Sequence, residues 1–455
     1  LSWIRADSRR PGSFVDEYGR VRVFHGVSAV QKGAPWYWED FLHNTTRIEQ
    51  LKEWGINSVR LGWMWSGAQP TEGVWNQTYF DITATIVDNL AAQGIHTILD
   101  MHQDGMSSLF CLYDGLPLWL VEKRSPPKHA FPYPLTGNCS RFWEDNFFAE
   151  ATQSAYQDLY DNHADMAALM ATFWERSATF FVNTSSILGY ELINEPWAGD
   201  AYEDPLVMLP AVAGKKNLMP LYERVHTAVR SVDKNHVVFI EPVTWGAYLH
   251  GGIADTGLSI PGGPAYTNLT ALSVHYYCPL YQMRDPAKDT NLTMSLCAGV
   301  GDLVFDSQAF DVHNSGMEGA ALFLTEWGEC DPRVPQGAIE CNYIQNKSQA
   351  LFMSQAWWDH AGHEGYDSSG RAILEYSAML ARTYARAIAG SPVSTSFDVA
   401  TGDFHVCYNV TIAGPSQEAV TTEVFHAASI HYPTGATATS STGNLAVKVD
   451  GNIIT

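Results

Sequence analysis

Two stretches of the 455-residue chain place a glutamate at the end of an apolar, β-like run: Leu192-Ile193-Asn194-Glu195-Pro196 and Leu324-Thr325-Glu326-Trp327-Gly328. Two carboxylates from distant parts of a chain, brought about 5 to 5.5 Å apart, are what glycosidic-bond hydrolysis with retention requires. One acts as acid and then base, the other as nucleophile. Glu195 has to hold a proton in the resting state, so burial and a neighbouring anion should raise its pKa. Glu326 has to be ionised, and Arg60, ending an earlier apolar run, is suited to pair with it. Tyr277 can donate a hydrogen bond to the same carboxylate, and Asn194 is suited to a sugar 2-hydroxyl. His102 and His275 end two further runs and complete the catalytic and substrate-binding candidates. This chemistry implies neither metal nor cofactor.

The elements that must position these residues follow from the pattern of the chain. Short runs rich in Val, Ile and Leu alternate with stretches of helical period, which is the signature of a parallel sheet with crossover helices. Candidate strands span 23–30, 58–63, 96–102, 187–195, 236–242, 272–278 and 321–328. Seven strands of one kind predict a closed (β/α)8 TIM barrel, in which functional groups gather at the C-terminal strand ends. Helices stop at a glycine followed by an apolar residue in Trp54-Gly55-Ile56 and Gln93-Gly94-Ile95, and Glu364-Gly365-Tyr366 repeats the signal. On that basis 342–362 reads as the seventh helix, the eighth strand begins at Tyr366, and 372–389 is the last barrel helix. Residues 351–358 are the alternative eighth strand. Beyond Pro392 the texture turns to Thr, Val, Ser and Gly, with β-like runs at 404–412, 421–431 and 444–454. The expected domains are a barrel over 1–390 and a small all-β, sandwich-like domain over 391–455.

Composition sets the surroundings. Of the residues, 46% are hydrophobic and 17% charged, so a large core is available and disorder is excluded as the main state. The net charge of −22 repels phosphate backbones and excludes nucleic acid as a natural partner. No apolar run reaches the length of a membrane span, and the start lacks a signal-peptide layout, so a soluble mature chain is expected. Eight Asn-X-Ser/Thr sites occur, at Asn44, Asn76, Asn138, Asn183, Asn268, Asn291, Asn346 and Asn409. Chance supplies roughly two or three, using the acceptor pattern. The excess points to a glycosylated protein, secreted or lysosomal. Of seven cysteines, three pairs lie close in the chain: Cys111 with Cys139, Cys278 with Cys297, and Cys330 with Cys341. They are either loop staples, leaving Cys407 free, or buried thiols, and no Cys/His spacing suggests zinc.

Over roughly 14–390 the chain resembles glycoside hydrolase family 5, and within it the endoglycoceramidases and their glucosylceramidase-like relatives. The narrower likeness rests on Leu99-Asp100-Met101-His102-Gln103-Asp104, on Asp114-Gly115-Leu116-Pro117 with Trp119, on Asn194-Glu195-Pro196-Trp197-Ala198-Gly199, and on Arg382-Thr383-Tyr384 with Ala387-Ile388-Ala389-Gly390. The resemblance implies cleavage of the β-bond between sugar and ceramide, with Glu195 as acid/base and Glu326 as nucleophile. It also implies that Lys32 and Asp104 bind sugar hydroxyls. Relatives carry a Trp-X-Tyr-Trp-like eighth strand whose Trp stacks under the reacting sugar. The matching region here is Tyr366-Asp367-Ser368-Ser369-Gly370, so either Trp358 takes that place or the platform is missing. A glycolipid substrate needs an apolar landing area, for which Pro35-Trp36-Tyr37-Trp38, Leu109-Phe110 and 116–121 are candidates. Contact with a membrane surface, a detergent or an activator would serve the same end. The rival readings are a family 5 hydrolase of glucan or mannan and a non-catalytic glycolipid-binding barrel.

Overall fold

The computed structural model describes residues 1–137, 139, 143–244, 255–280, 290–360, 364–410, 421–441 and 446–455. Asn138 and parts of the expected runs 404–412 and 444–454 lie outside that set. The chain opens with an antiparallel meander, β1 (Ile4–Ala6), β2 (Phe14–Asp16) and β3 (Val21–Arg22). Eight parallel strands then close a barrel: β4 (His25–Ala29), β5 (Ser58–Gly62), β6 (His96–Asp100), β7 (Ile187–Glu191), β8 (Val237–Ile240), β9 (Thr270–Tyr276), β10 (Ala321–Gly328) and β11 (Ser354–Trp358). The (β/α)8 expectation holds. β5 to β8 and β10 are buried throughout, as strands covered on both faces must be.

The eighth strand is where the reading from sequence fails. It is Ser354–Trp358, not the region after Tyr366, and the preceding helix, Pro335–Ala350, ends well before residue 362. That helix lacks the glycine that marked the others. Leu351 caps it, and Phe352 then takes the left-handed conformation, φ +52°, that glycine takes at Gly55 and Gly94. Gly365 is left-handed too, but it leads into a turn closed by the Tyr366 to Ala372 bridge. The expected last helix over 372–389 shrinks to Leu374–Leu380, and its second half is a strand, β12 (Tyr384–Ile388). Tertiary contacts override helical period there: the Tyr384 ring stacks on His25 at 3.7 Å and its hydroxyl donates to the Gly55 carbonyl at 2.7 Å.

β12 leads into β13 (Gly390–Phe397), paired with β14 (Phe404–Val410), then β15 (Glu423–Phe425), β16 (Val449–Asp450) and β17 (Ile453–Ile454). One sheet runs β1-β2-β3-β12-β15-β17-β16, so the first strands of the chain and the last share a ladder. The sequence boundary after residue 390 falls inside β13, one residue past its start. Gly55 serves this contact as well as its helix end, since a β-carbon there would meet the Phe425 ring at 2.3 Å.

The meander also seals the barrel floor. Gly12 bridges to Ala321, and Phe14 packs with Phe24, Phe239 and Phe323 in a dedicated apolar cluster with Ile98, Ala271 and Ala356. Above this layer the barrel interior turns polar, through Arg60, Asp100, Glu191, Ser273 and Thr325. The three disulfides form as spaced, Cys111–Cys139, Cys278–Cys297 and Cys330–Cys341, and Cys407 is free and exposed.

Candidate active site

At the upper end of the barrel the inward residues become the chemistry. Strand period two carries Ala271 and Ser273 up to His275 on β9, and Val237 and Phe239 up to Glu241 just past β8. On β10 the register shifts between Leu324 and Glu326, so both Thr325 and Glu326 reach interior partners: Ser273 and Arg60 respectively. A bulge here re-aims one side chain into the mouth.

Arg60, fully buried, is the hub. It donates to Glu191 at 2.6 Å, to Glu326 Oε2 at 2.9 Å and to Asn194 Oδ1 at 2.6 Å, and lies 3.1 Å from Asp100. Tyr277 donates to the other Glu326 oxygen at 2.6 Å. Both supports of Glu326 are where the sequence put them. Burial nonetheless pushes the Glu326 carboxyl up to about 7, with His275 and Arg60 only partly opposing it. Arg60 lowers the pKa as expected of it, but taking the group out of water outweighs the cation.

Glu195 Oε1 lies 2.9 Å from His275 Nδ1, which is 3.8 Å from Glu326 Oε1. One atom from each of Glu195, His275 and Glu326 falls within 4.8 Å of the others. The two carboxyls are therefore too close to admit the water of an inverting site, where separations of about 6.5 to 9.5 Å are needed. Burial, with the Asp104 anion adding to it, raises the Glu195 pKa to about 8. With the Nδ1 proton donated to Oε1, the second oxygen of Glu195 is left to carry an acidic proton.

Asp104 holds Lys32 at 2.6 Å, and the Lys32 ammonium sits 4.5 Å above the Trp358 ring. His102 is pinned through Nδ1 to Asp100 at 2.7 Å and stacks on Trp358 with centroids 5.1 Å apart. Trp358, at the tip of β11, thus stands at the mouth beside Lys32 and His102. Asn194 Oδ1 accepts from Arg60, and Nδ2 donates to the Gln103 carbonyl at 2.9 Å with Asp104 Oδ1 at 3.5 Å.

All nine residues singled out from sequence meet in this one cluster. The sequence reading missed Asp100, Glu191, Glu241 and Gln103 as parts of it. Glu241 carried a usable signal, because it continues the Val237, Phe239 alternation at a strand end. Gln103 did not: its Nε2 grips the Asn194 carbonyl at 2.6 Å and the Glu195 carbonyl at 3.2 Å, which only the folded loop reveals.

Three clusters have metal-like spacing among the described residues. Cys278 and Cys297 of the first are joined in a disulfide, which removes their thiolates. Glu191, Glu241 and Glu326 of the others already serve Arg60, Ser273, Tyr277 and the Glu195 amide. The apolar loop runs divide: Phe110, Leu116, Leu120 and Val121 are buried in the core, whereas Pro35 is exposed and Trp36, Tyr37, Trp38, Leu109 and Trp119 are half-buried. A cavity of about 320 Å³ opens between the Pro35–Tyr37 loop and Ser66, Pro70 and Ile82.

With Glu326 as the nucleophile and Glu195 as the acid, kcat/KM is expected to follow a bell-shaped pH profile, its acid limb set by Glu326 ionising and its alkaline limb by Glu195 losing its proton. Asp104 raises the Glu195 pKa and Lys32 lowers it. Asp104→Asn removes the anion and frees the Lys32 charge, and both changes favour ionised Glu195. The alkaline limb is expected to move to lower pH, by about one unit, in a pH series of kcat/KM; a limb that stays or moves upward would contradict the assignment.

A closed (β/α)8 barrel with two buried glutamates paired at its mouth is the architecture of a glycoside hydrolase. Comparison with known proteins agrees. The family model described as cellulase (glycosyl hydrolase family 5) matches residues 15–364, and the glycoside hydrolase family 5 C-terminal domain matches 382–454. The chain belongs to glycosyl hydrolase family 5. It is similar to the endoglycoceramidase of Cyanea nozakii, 33% identical over 446 residues that cover 92% of this chain and 84% of that protein. The endoglycoceramidase of Hydra vulgaris is 32% identical over 446 residues, covering 92% and 80%. Among solved structures, the ganglioside GM3 complex of endo-glycoceramidase II from Rhodococcus sp. shares the fold, with TM-score 0.75 at 20% identity, covering 92% of this chain and 91% of that one.

Proposed function

We propose that this enzyme hydrolyses the β-linkage between the sugar and the ceramide of glycosphingolipids, with retention, through a glycosyl-Glu326 intermediate. The observation that carries the reading is the Glu195 and Glu326 pair, within 4.8 Å through one oxygen each, in a chain similar over 92% of its length to two endoglycoceramidases. Glu195 protonates the departing ceramide oxygen and then activates water. Arg60 and Tyr277 hold Glu326, His275 orients Glu195, and Lys32, Asp104, His102 and Asn194 face the sugar hydroxyls. Trp358 stacks beneath the sugar, which supports its position at the level of the reacting bond. The half-buried aromatics of the 35–38 loop and the adjoining cavity receive the lipid. A protein of charge −22 gains no attraction from an anionic membrane, so apolar contact, a detergent or an activator has to bring it to its substrate.

Secretion or lysosomal residence belongs to the same proposal. Of the seven glycosylation sequons on described residues, Asn44, Asn183, Asn268, Asn291, Asn346 and Asn409 are exposed, and Asn76 is half-buried. Three disulfides are in keeping with an oxidising compartment. The test is incubation with lactosylceramide and glucosylceramide in detergent, scored by released ceramide, beside β-glucan and β-mannan scored by reducing ends. Ceramide release is expected; cleavage of the polysaccharides alone would favour the rival hydrolase reading.

A further inference from the structure

The backbone of Glu195 is left-handed, with φ +43°, a region that residues bearing a β-carbon avoid. Something has to hold it there. Its amide donates to Glu241 Oε2 at 2.7 Å, while Gln103 holds the carbonyls of Asn194 and Glu195. Glu241 is 2% exposed, lies at the end of β8, and is itself fixed by Tyr222, whose hydroxyl donates to the Glu241 carbonyl at 2.6 Å. Its second carboxyl oxygen lies 3.6 Å from His275 Nδ1, the nitrogen that meets Glu195 Oε1. Glu241 therefore reaches Glu195 along two routes, one through the backbone and one through the imidazole.

We propose that Glu241 is a positioning residue for the acid/base: it holds the strained Glu195 backbone so that the carboxyl faces the leaving oxygen, and it does so as a hydrogen-bond acceptor rather than as a charge. The inference rests on the role proposed above for Glu195. Glu195, Glu191 and Arg60 are the charged groups around Glu241, with His275 beside it. Burial, reinforced by Glu195 and Glu191, holds the Glu241 carboxyl well above the ordinary range, and a neutral carboxyl still accepts from an amide through its carbonyl oxygen. A glutamine offers the same acceptor without ionising.

The test compares the parent with E241Q, E241A and E241L on phenyl β-lactosides whose leaving groups run from dinitrophenol to unsubstituted phenol. Acid catalysis matters little for the first and greatly for the last. General acid catalysis contributes about 10² to 10⁴ in rate. E241A and E241L are expected to lose kcat/KM about 100-fold on phenyl lactoside and under 10-fold on the dinitrophenyl substrate. Azide, which needs no base to attack the intermediate, should restore their kcat on the dinitrophenyl substrate and yield β-lactosyl azide. E241Q should stay within a few-fold of the parent.

A loss in folded E241A that is equal across the leaving groups, or a folded E241Q as impaired as E241A, overturns the proposal. E241Q decides the point if the other two variants fail to fold, because it keeps the acceptor and removes only the capacity to ionise. A parent with no glycosidase activity on any lactoside would count against the proposed substrate reading itself. An active parent with leaving-group-independent losses counts against Glu241 alone.

Discussion

Glu326→Ala is expected to lower kcat on any glycoside by roughly 10⁴-fold or more, since the two-step route loses the group that forms the covalent intermediate. Glu195→Ala should be milder on substrates with good leaving groups, because the first step then proceeds without protonation. The two variants separate further with azide. In Glu195→Ala the glycosyl-Glu326 ester still forms, azide enters from the side that Glu195 lined, and the product is a β-glycosyl azide. In Glu326→Ala the anion can occupy only the vacated nucleophile space, so the product is the α-azide. The anomeric configuration of each azide, read by proton NMR, assigns the two roles independently of rate. An α-azide from the Glu195 variant would reverse the assignment.

Arg60→Met is expected to cost stability as well as activity. Arg60 is fully buried among Asp100, Glu191 and Glu326, with contacts of 2.6 to 3.1 Å, so its removal leaves buried carboxyls without a cation. Breaking a buried ion pair from one side costs about 3 to 5 kcal/mol, which denaturant unfolding of parent and variant would measure. The sign of its pH dependence follows from the same groups. Burial already raises Asp100 to about 6 and Glu326 to about 7, and Arg60 opposes both shifts. Without Arg60 both folded-state pKa values rise further above the unfolded values. The variant's deficit should therefore be small below about pH 4, where these groups are protonated in either state, and grow as pH rises. A deficit under 1 kcal/mol at pH 7, or one that shrinks as pH rises, would mean that Arg60 is not what keeps these carboxyls in the core.

Much of this site could be read from sequence because a barrel gathers strand ends. Arg60, His102, His275 and Tyr277 each terminate or follow a recognisable apolar run, and the fold does the rest. The failures had local causes. The eighth strand was misplaced because Phe352, not a glycine, takes the left-handed position after its helix, so the expected stop signal was absent. Residues 384–388 read as helix because their β conformation is dictated by partners far away, Gly55 and His25, that no window around them contains. Glu241 was passed over because a single strand-end glutamate has no partner in sequence, although the inward alternation of its strand pointed to it. The effect of Arg60 on Glu326 was legible, but the larger opposing effect of burial was not, because the sequence shows the cation and not the depth.

The shared ladder of β3 and β12 sets an order of events for the ribosome. Arg22 donates to the carbonyl of Arg386, 364 residues later in the chain. At 5 to 20 residues per second, that partner follows roughly 20 to 70 s behind. Until it arrives, the strand at one end of the meander keeps an open edge, the kind of surface on which other chains pair. The meander edge and the C-terminal sheet are thus closed together, by strands that follow the barrel in the chain. A newborn chain cut short between residues 326 and 384 would carry both active-site glutamates and still lack the strand that covers the β3 edge.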